Sequence, residues 1–136
     1  MLTILTDGAD NSAKLSLMDI VVVNKPTTVD QVAKMASEQF GDIIKATVDV
    51  KQRVMALGGE LHADEEQLLL DRGSNQSDLW GINLYPASFG KPEFIEFDSM
   101  INLRPSQGNL SRSVEDAAIR RKVNRIVTKL IVGKAK

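Results

Sequence analysis

Hydrophobic residues recur with a helical period in the first third of the chain. The apolar stripe consists of Val32, Ala36 and Phe40. Thr28 and Gln31, which come just before this stripe, have the spacing of a capping box. Gly41 follows the stripe at a position where helices usually end. This pattern predicts a helix over residues 29–40.

Two further helices are predicted later in the chain. Asp64 and Gln67 also have capping-box spacing, so a helix is expected to begin at Asp64 and to bury the leucine run that follows. The last helix is expected to begin at Ser113, which has Asp116 three residues later. Its apolar stripe is the most regular in the chain and consists of Ile119, Val123, Ile126, Val127 and Leu130.

Hydrophobic and polar residues alternate with the period of a β-strand in four other stretches. Residues 44–50 and 53–57 predict two antiparallel strands joined near residues 51–53, with one long bent strand as the alternative. Residues 79–85 and 95–104 predict two more strands, each with one apolar and one more polar face.

The elements follow the order (β)αββαββα, in which the first strand is the short run IVVV after Met18. Strands joined by short turns pair antiparallel. We therefore predict an α+β fold of a single domain, with a mainly antiparallel sheet of four or five strands and three helices that cover one face. Trp80, which alternates with core residues, is expected to lie in the core.

The N-terminal segment differs from the rest of the chain. Residues 1–17 are small, polar and weakly patterned. They predict an N-terminal extension outside the core fold, with Met18 as the functional start and residues 18–136 as the α+β domain. An extra edge strand formed by the string LTIL is the alternative.

Composition limits the chemistry that the chain can perform. With 136 residues, 43% hydrophobic and 26% charged, it is typical of a soluble globular protein. It has no cysteine and one histidine, which excludes disulfides and metal sites that need thiolates or two imidazoles. We predict no metal and no cofactor. Nothing approaches the ~20 apolar residues of a membrane span, and Asp7 comes too early for a signal peptide, so we expect a cytoplasmic protein without a membrane partner.

Charge is distributed unevenly, although the net charge is −1. Residues 112–136 contain eight of the 17 basic residues and two of the 18 acids, so this segment carries +6 and the rest −7. A basic last helix is compatible with nucleic-acid binding. Its basic residues occupy more than one side of the helix, however, which favours a solvated face over a single binding stripe.

His62 is the candidate for proton transfer, because histidine titrates nearest neutrality. It is expected two residues before the helix that begins at Asp64. In a metal-independent hydrolase or phosphodiesterase, including one that cleaves RNA, Glu60 or Asp98 would orient His62, and Arg104 would stabilise the developing negative charge. This mechanism requires His62 and Arg104 to share one cleft. A structural role for the lone histidine is the alternative.

Polar side chains on the outward face of the last two predicted strands are candidate ligand-binding groups. Asn83 and Tyr85 lie on one strand, and Asn102 and Arg104 lie on the next. Asparagine is unfavourable in strands and offers both a donor and an acceptor, which suits ligand recognition. Any solvated antiparallel face also shows such alternation.

The loop RPSQGN, residues 104–109, is a candidate anion site before the last helix. Arg104 can bind a phosphate or carboxylate bidentately, and Gln107 and Asn109 supply further polar groups. The loop lacks the spacing of a nucleotide P-loop. A turn that Arg104 ties to the sheet explains the motif as well.

Several strings resemble a family of small bacterial and cyanobacterial proteins of uncharacterised function. They are FGDIIKATVDV, GGELHADEEQLLLDRGS, DLWGINLYP and INLRPSQGN. The resemblance runs from about Ile20 to Ile131 and implies a bacterial, cytoplasmic protein, but it implies no activity.

The function expected first is a ligand- or protein-binding, or regulatory, module that uses the polar sheet face and the loop at 104–109. Its partner would be a small anionic ligand or a protein, including a second copy in a homodimer. The hydrolase that uses His62 and nucleic-acid binding through the last helix are the alternatives, and whether the protein is an enzyme stays open.

Overall fold

The computed structural model describes residues 20–133, so the predictions about residues 1–17 and Met18 lie outside the described residues. The strands are β1 (Val21–Val23), β2 (Thr27–Thr28), β3 (Ile44–Asp49), β4 (Val54–Leu57), β5 (Leu79–Leu84), β6 (Ile95–Glu96) and β7 (Ile131–Val132). Five of them form an antiparallel sheet in the order β1-β4-β3-β5-β6, and β2 pairs in parallel with β7. The predicted α+β class with a mainly antiparallel sheet is confirmed.

The helices are α1 (Val29–Ser37), α2 (His62–Asp71) and α3 (Ala117–Leu130). The predicted cap of α1 is confirmed, because Thr28 Oγ1 accepts a hydrogen bond of 3.2 Å from the backbone N–H of Gln31. The helix ends at Ser37, earlier than predicted, and the turn after it closes at Gly41, whose φ is 99°. No helix in residues 20–133 is long and apolar enough to cross a membrane.

The predicted starts of α2 and α3 are wrong. Helix α2 begins at His62, with Leu61 as its N-cap, and not at Asp64. Helix α3 begins after Asp116, whose Oδ1 accepts from Ala118 N at 2.7 Å, and not at Ser113. Helix α2 has no side-chain cap, and Asp64 lies within its first turn; in α3 the cap is Asp116, the second polar residue of the predicted pattern.

The prediction that the helices cover one face of the sheet is wrong, because both faces are covered. On one face, α1 and α3 enclose the main core, where Trp80 is 2% exposed. On the other, Leu69 of α2 packs with Ala56 and Leu79. All six residues of β5 are therefore buried, and the face predicted to be open lies beneath α2 and the chain that follows β6.

The predicted strand over residues 95–104 is also wrong beyond its first two residues. After β6 the chain leaves the sheet and runs as a strap, defined here as residues 97–113, with a 3₁₀ turn at Met100–Asn102. Ser99 caps this turn, because its Oγ accepts from the backbone N–H of Ile101. The strap contacts α2, so it covers the same face of the sheet.

Candidate functional sites: a polar layer and a basic groove

A layer of buried polar side chains joins the strap to β5. We call it the polar layer, and it consists of Asn83, Ser99, Asn102, Arg104 and Asn109. It contains four of the residues predicted to bind a ligand. Because buried polar groups need partners, the contacts of each side chain decide what it can offer to a ligand.

Asn102 takes the place of a neighbouring strand beside Gly81. Its Oδ1 accepts from Gly81 N at 2.8 Å, and its Nδ2 donates to Gly81 O at 2.9 Å and to Arg112 O at 2.9 Å. The approach is close, since a Cβ on Gly81 would lie 2.6 Å from the Cβ of Ser99. Asn102 therefore satisfies the edge of β5 where β6 has ended.

Arg104 is tied to main-chain carbonyls in the same way. Its Nε donates to Ile101 O at 2.8 Å, its Nη1 donates to Gln76 O at 2.9 Å, and its Nη2 donates to Leu79 O. The guanidinium carbon lies 4.5 Å from the centre of the Trp80 ring. Burial lowers the pKa of Arg104, and Glu66, 3.9 Å away, opposes this shift. The donors predicted for an anion are directed into the protein.

The rest of the loop at 104–109 is held by similar bonds. Asn109 Nδ2 lies 2.7 Å from Asn102 O and 2.7 Å from Ser113 O, and its Oδ1 accepts from Glu115 N. Gln107 is exposed; it accepts from Arg104 and donates to Ser77 O at 3.1 Å. These contacts fit the interpretation of the loop as a turn tied to the sheet.

Asn83 and Tyr85 converge on one carboxylate. Asn83 Nδ2 and the Tyr85 hydroxyl donate to Glu96 Oε1 at 2.9 and 3.1 Å, and Asn83 Nδ2 also reaches Asp98 O. Burial, with a contribution from Glu96, raises the pKa of Tyr85. Among residues 20–133, the buried Oδ1 of Asn83 has no hydrogen-bond donor.

His62 lies in the first turn of α2 and is engaged by the sheet. Its Nε2 is 2.7 Å from Ile82 O, and because a carbonyl only accepts, Nε2 carries the proton and donates. Burial lowers the pKa of His62, although the bond to Ile82 opposes this shift; Lys45 lowers it further. The lowered pKa favours the neutral form of the imidazole.

The four predicted catalytic residues form no hydrogen bond or ion pair with one another in the described part of the chain. Glu60 is exposed and makes no hydrogen bond to His62. Asp98 pairs with Arg112 at 2.7 Å, although its charge also acts on His62 and opposes the lowering of the His62 pKa, and Arg104 is bound to the carbonyls named above. His62 and Arg104 share no contact, so the cleft that the hydrolase mechanism requires is not formed by these contacts.

A buried carboxylate of α2 was missed by the sequence reasoning. Glu65 is 0% exposed; its Oε1 accepts from Thr47 Oγ1 and its Oε2 from Gly59 N, both at 2.9 Å. Burial raises the pKa of Glu65 well above its usual range. Its position four residues before the buried Leu69, on the same side of the helix, was the available signal.

A basic groove lies on the other side of the sheet, between α3 and the β3–β4 turn. Its volume is about 580 Å³, and no acid among residues 20–133 lines it. Its lining consists of Lys51, Arg53, Lys122, Arg125 and Lys129, with Val50, Ile126 and Leu130 beneath them. No described acid lies within ion-pair distance of these five cations. The groove therefore concentrates positive charge that no acid among residues 20–133 neutralises by direct pairing.

Local structure explains how the groove cations are presented. Asp49 Oδ1 accepts from Lys51 N and Gln52 N at 2.9 Å, which fixes the turn, and Arg53 adopts a left-handed φ of 62°. On α3, Lys122, Arg125 and Lys129 are separated by three and four residues and so share one side. The basic residues of this helix were expected on more than one side, and Arg120 and Arg121 do not line the groove, but the alignment of the other three was overlooked. The two cations of the turn are distant from them in sequence.

Metal binding has no corresponding site in residues 20–133. No three carboxylate or imidazole groups come together there as ligands of one ion would. The groove is instead suited to an anion, since its polar lining groups are all cationic.

Comparison of the sequence with known proteins identifies a family for this chain. No curated protein matches the chain, and no solved structure matches it. A family described as "Protein of unknown function (DUF5674)" matches residues 21–130, which extend from β1 to the end of α3. The match covers the whole five-stranded sheet and all three helices, and the chain therefore belongs to this family of uncharacterised proteins.

Proposed function

We propose that this protein is a binding module whose ligand carries phosphate groups and is held in the basic groove. The observation that carries the proposal is the lining of the groove, with five cations and no acid around about 580 Å³. This volume falls within the roughly 300–1,000 Å³ typical of ligand sites. Phosphate esters are the anions best matched to clustered lysine and arginine.

The electrostatics favour binding at the groove over the rest of the surface. Like charges held close together repel one another, and a bound anion relieves this repulsion. The segment 112–136 carries +6 and the remaining chain carries −7, so the field directs an anion toward α3. The exposed side chains of the five groove cations keep their donors available to a ligand.

The polar layer is a less favourable place for the same ligand. Asn102 and Arg104 would have to break bonds to buried main-chain groups before they could bind an anion. Leaving such a group without a partner costs about 1–3 kcal/mol. This cost supports the groove over the face and loop that sequence reasoning favoured.

The first test measures phosphate-dependent stabilisation of the folded protein. Pyrophosphate, ATP and a short oligonucleotide are each added during thermal unfolding, with Arg125→Glu/Lys129→Glu as the groove variant. At a concentration about 100 times Kd, a ligand adds about 2.7 kcal/mol to the free energy of unfolding. We expect at least one of the three compounds to stabilise the wild type and the groove variant to lose that stabilisation.

Arg121→Glu is the matched control, because Arg121 is exposed on the same helix but does not line the groove. It should retain most of the stabilisation. Absence of stabilisation by all three compounds, or equal stabilisation of the wild type and the groove variant, would contradict the proposed function.

A further inference from the structure

The side chains that line the groove limit which chemical groups of a ligand the groove can recognise. Besides the five cations, the lining consists of Val50, Ile126 and Leu130. Within the described part of the chain, the lining has no aromatic ring on which a base could stack and no side-chain amide or hydroxyl to read a base edge. Recognition in this groove is therefore recognition of charge, and a ligand gains little from its base or sugar.

The arrangement of the cations suits a repeating charge better than a single phosphate cluster. From Lys122 to Lys129 the helix rises about 10.5 Å, at 1.5 Å per residue. One strand of a nucleic acid carries a charge about every 3.4 Å along the axis, so this row spans about three phosphates. Lys51 and Arg53 approach from the β3–β4 turn and extend the positive surface beyond the helix.

We infer that the groove binds the phosphodiester backbone of a nucleic acid without reading its sequence. This inference rests on the proposed function and specifies its ligand. The row of cations on α3 follows consecutive phosphates, and the two cations of the turn contact the same strand from the side. The negative charge of the remaining chain repels the polymer elsewhere and confines it to the groove.

The test measures the salt dependence of binding by fluorescence anisotropy. Labelled single-stranded and duplex oligonucleotides, long enough to pass both ends of the groove, are titrated with the full chain between about 50 and 200 mM salt. If all five cations contact phosphates of a single strand, the slope of log K against log salt is about −3.5. Affinity then falls about a hundredfold over this range.

Charge-reversal variants, oligonucleotides of different sequence and competition by ATP test the inference further. Arg125→Glu/Lys129→Glu should reduce the magnitude of the slope by at least about 1.4, corresponding to two lost contacts. The control Arg121→Glu should leave the slope nearly unchanged. Oligonucleotides of different sequence should bind alike, and ATP at the same phosphate concentration should compete weakly.

The contrary results distinguish failure of the inference from failure of the proposed function. Equal competition by ATP, or a clear dependence on base sequence, would overturn the inference while leaving the proposed phosphate site intact. A salt slope near zero, or one that the groove variant leaves unchanged, would also overturn it. Failure of every phosphate compound to bind would remove both the inference and the proposed function.

Discussion

Two arginines show how differently this fold uses its polar side chains. In the polar layer, Arg104 is 8% exposed and donates to three main-chain carbonyls. In the basic groove, Arg125 is exposed and lies within ion-pair distance of no acid among the described residues. The first residue completes the protein's own hydrogen bonding, whereas the second remains available to a partner.

The comparison shows that density of polar residues is a poor guide to a binding site in this protein. The strap must cover β5 without forming a strand, so its side chains provide the hydrogen bonds that a strand backbone would provide. The groove has the opposite organisation, because apolar residues form its base and the cations project from its walls. Substitutions should therefore affect stability in one region and binding in the other.

The largest expected effect on stability comes from Asn102→Leu. This change removes the partner of Gly81 N and of Gly81 O, whereas Arg112 O still accepts from Ser99 N at 3.0 Å. At about 1–3 kcal/mol for each of the two buried groups left without a partner, the free energy of unfolding should fall by about 2 kcal/mol or more. Urea unfolding followed by circular dichroism measures the change.

Asn83→Leu is the matched control for Asn102→Leu. It removes a second buried amide from the polar layer, but the Oδ1 of Asn83 already lacks a donor among the described residues. Glu96 also keeps its bond from Tyr85, so a loss of only about 1 kcal/mol is expected. Equal losses for the two variants would show that the strand-like contacts of Asn102 have no special importance.

A smaller, pH-dependent effect is expected from Glu65→Gln. The raised pKa of Glu65 means that the folded state binds more protons than the unfolded state above the ordinary value of 4.5. The stability that this proton provides is present below pH 4.5 and is lost as the pH rises toward the pKa of the folded state. Glutamine does not titrate, and its Oε1 can still accept from Gly59 N, while its Nε2 can donate to Thr47 Oγ1 in place of the bond that Thr47 donates to Glu65.

Urea unfolding at a series of pH values tests this expectation. The stability of the wild type relative to Glu65→Gln should decrease as the pH rises above 4.5. His62, whose pKa is lowered, acts in the opposite direction, but it is present in both proteins and cancels in the difference. A difference that is flat or increases with pH would mean that Glu65 is not protonated in the folded state.

Sequence periodicity predicted the elements that pack by their apolar faces. The alternation through residues 44–57 corresponds to β3 and β4, and the stripe from Val123 to Leu130 forms the buried side of α3. These patterns succeed because burial of apolar surface decides the structure there. The same reasoning correctly placed Trp80 in the core.

The errors occur where polar side chains replace backbone pairing. Residues 95–104 alternate like a strand, but Asn102 and Arg104 bond to β5 with their side chains, and period alone does not distinguish the two arrangements. The groove was missed for another reason. Lys51 and Arg53 join the cations of α3 only through the tertiary fold, which a local pattern does not contain.

The central claim is that the protein binds its partner through the groove and not through the polar layer. The most direct measurement is an NMR titration of the ¹⁵N-labelled wild type with a single-stranded oligonucleotide, read as amide chemical-shift changes. The account predicts that the largest changes fall in residues 50–53 and on α3 around Lys122, Arg125 and Lys129. Changes concentrated in the strap and around His62, with the groove unaffected, would contradict it.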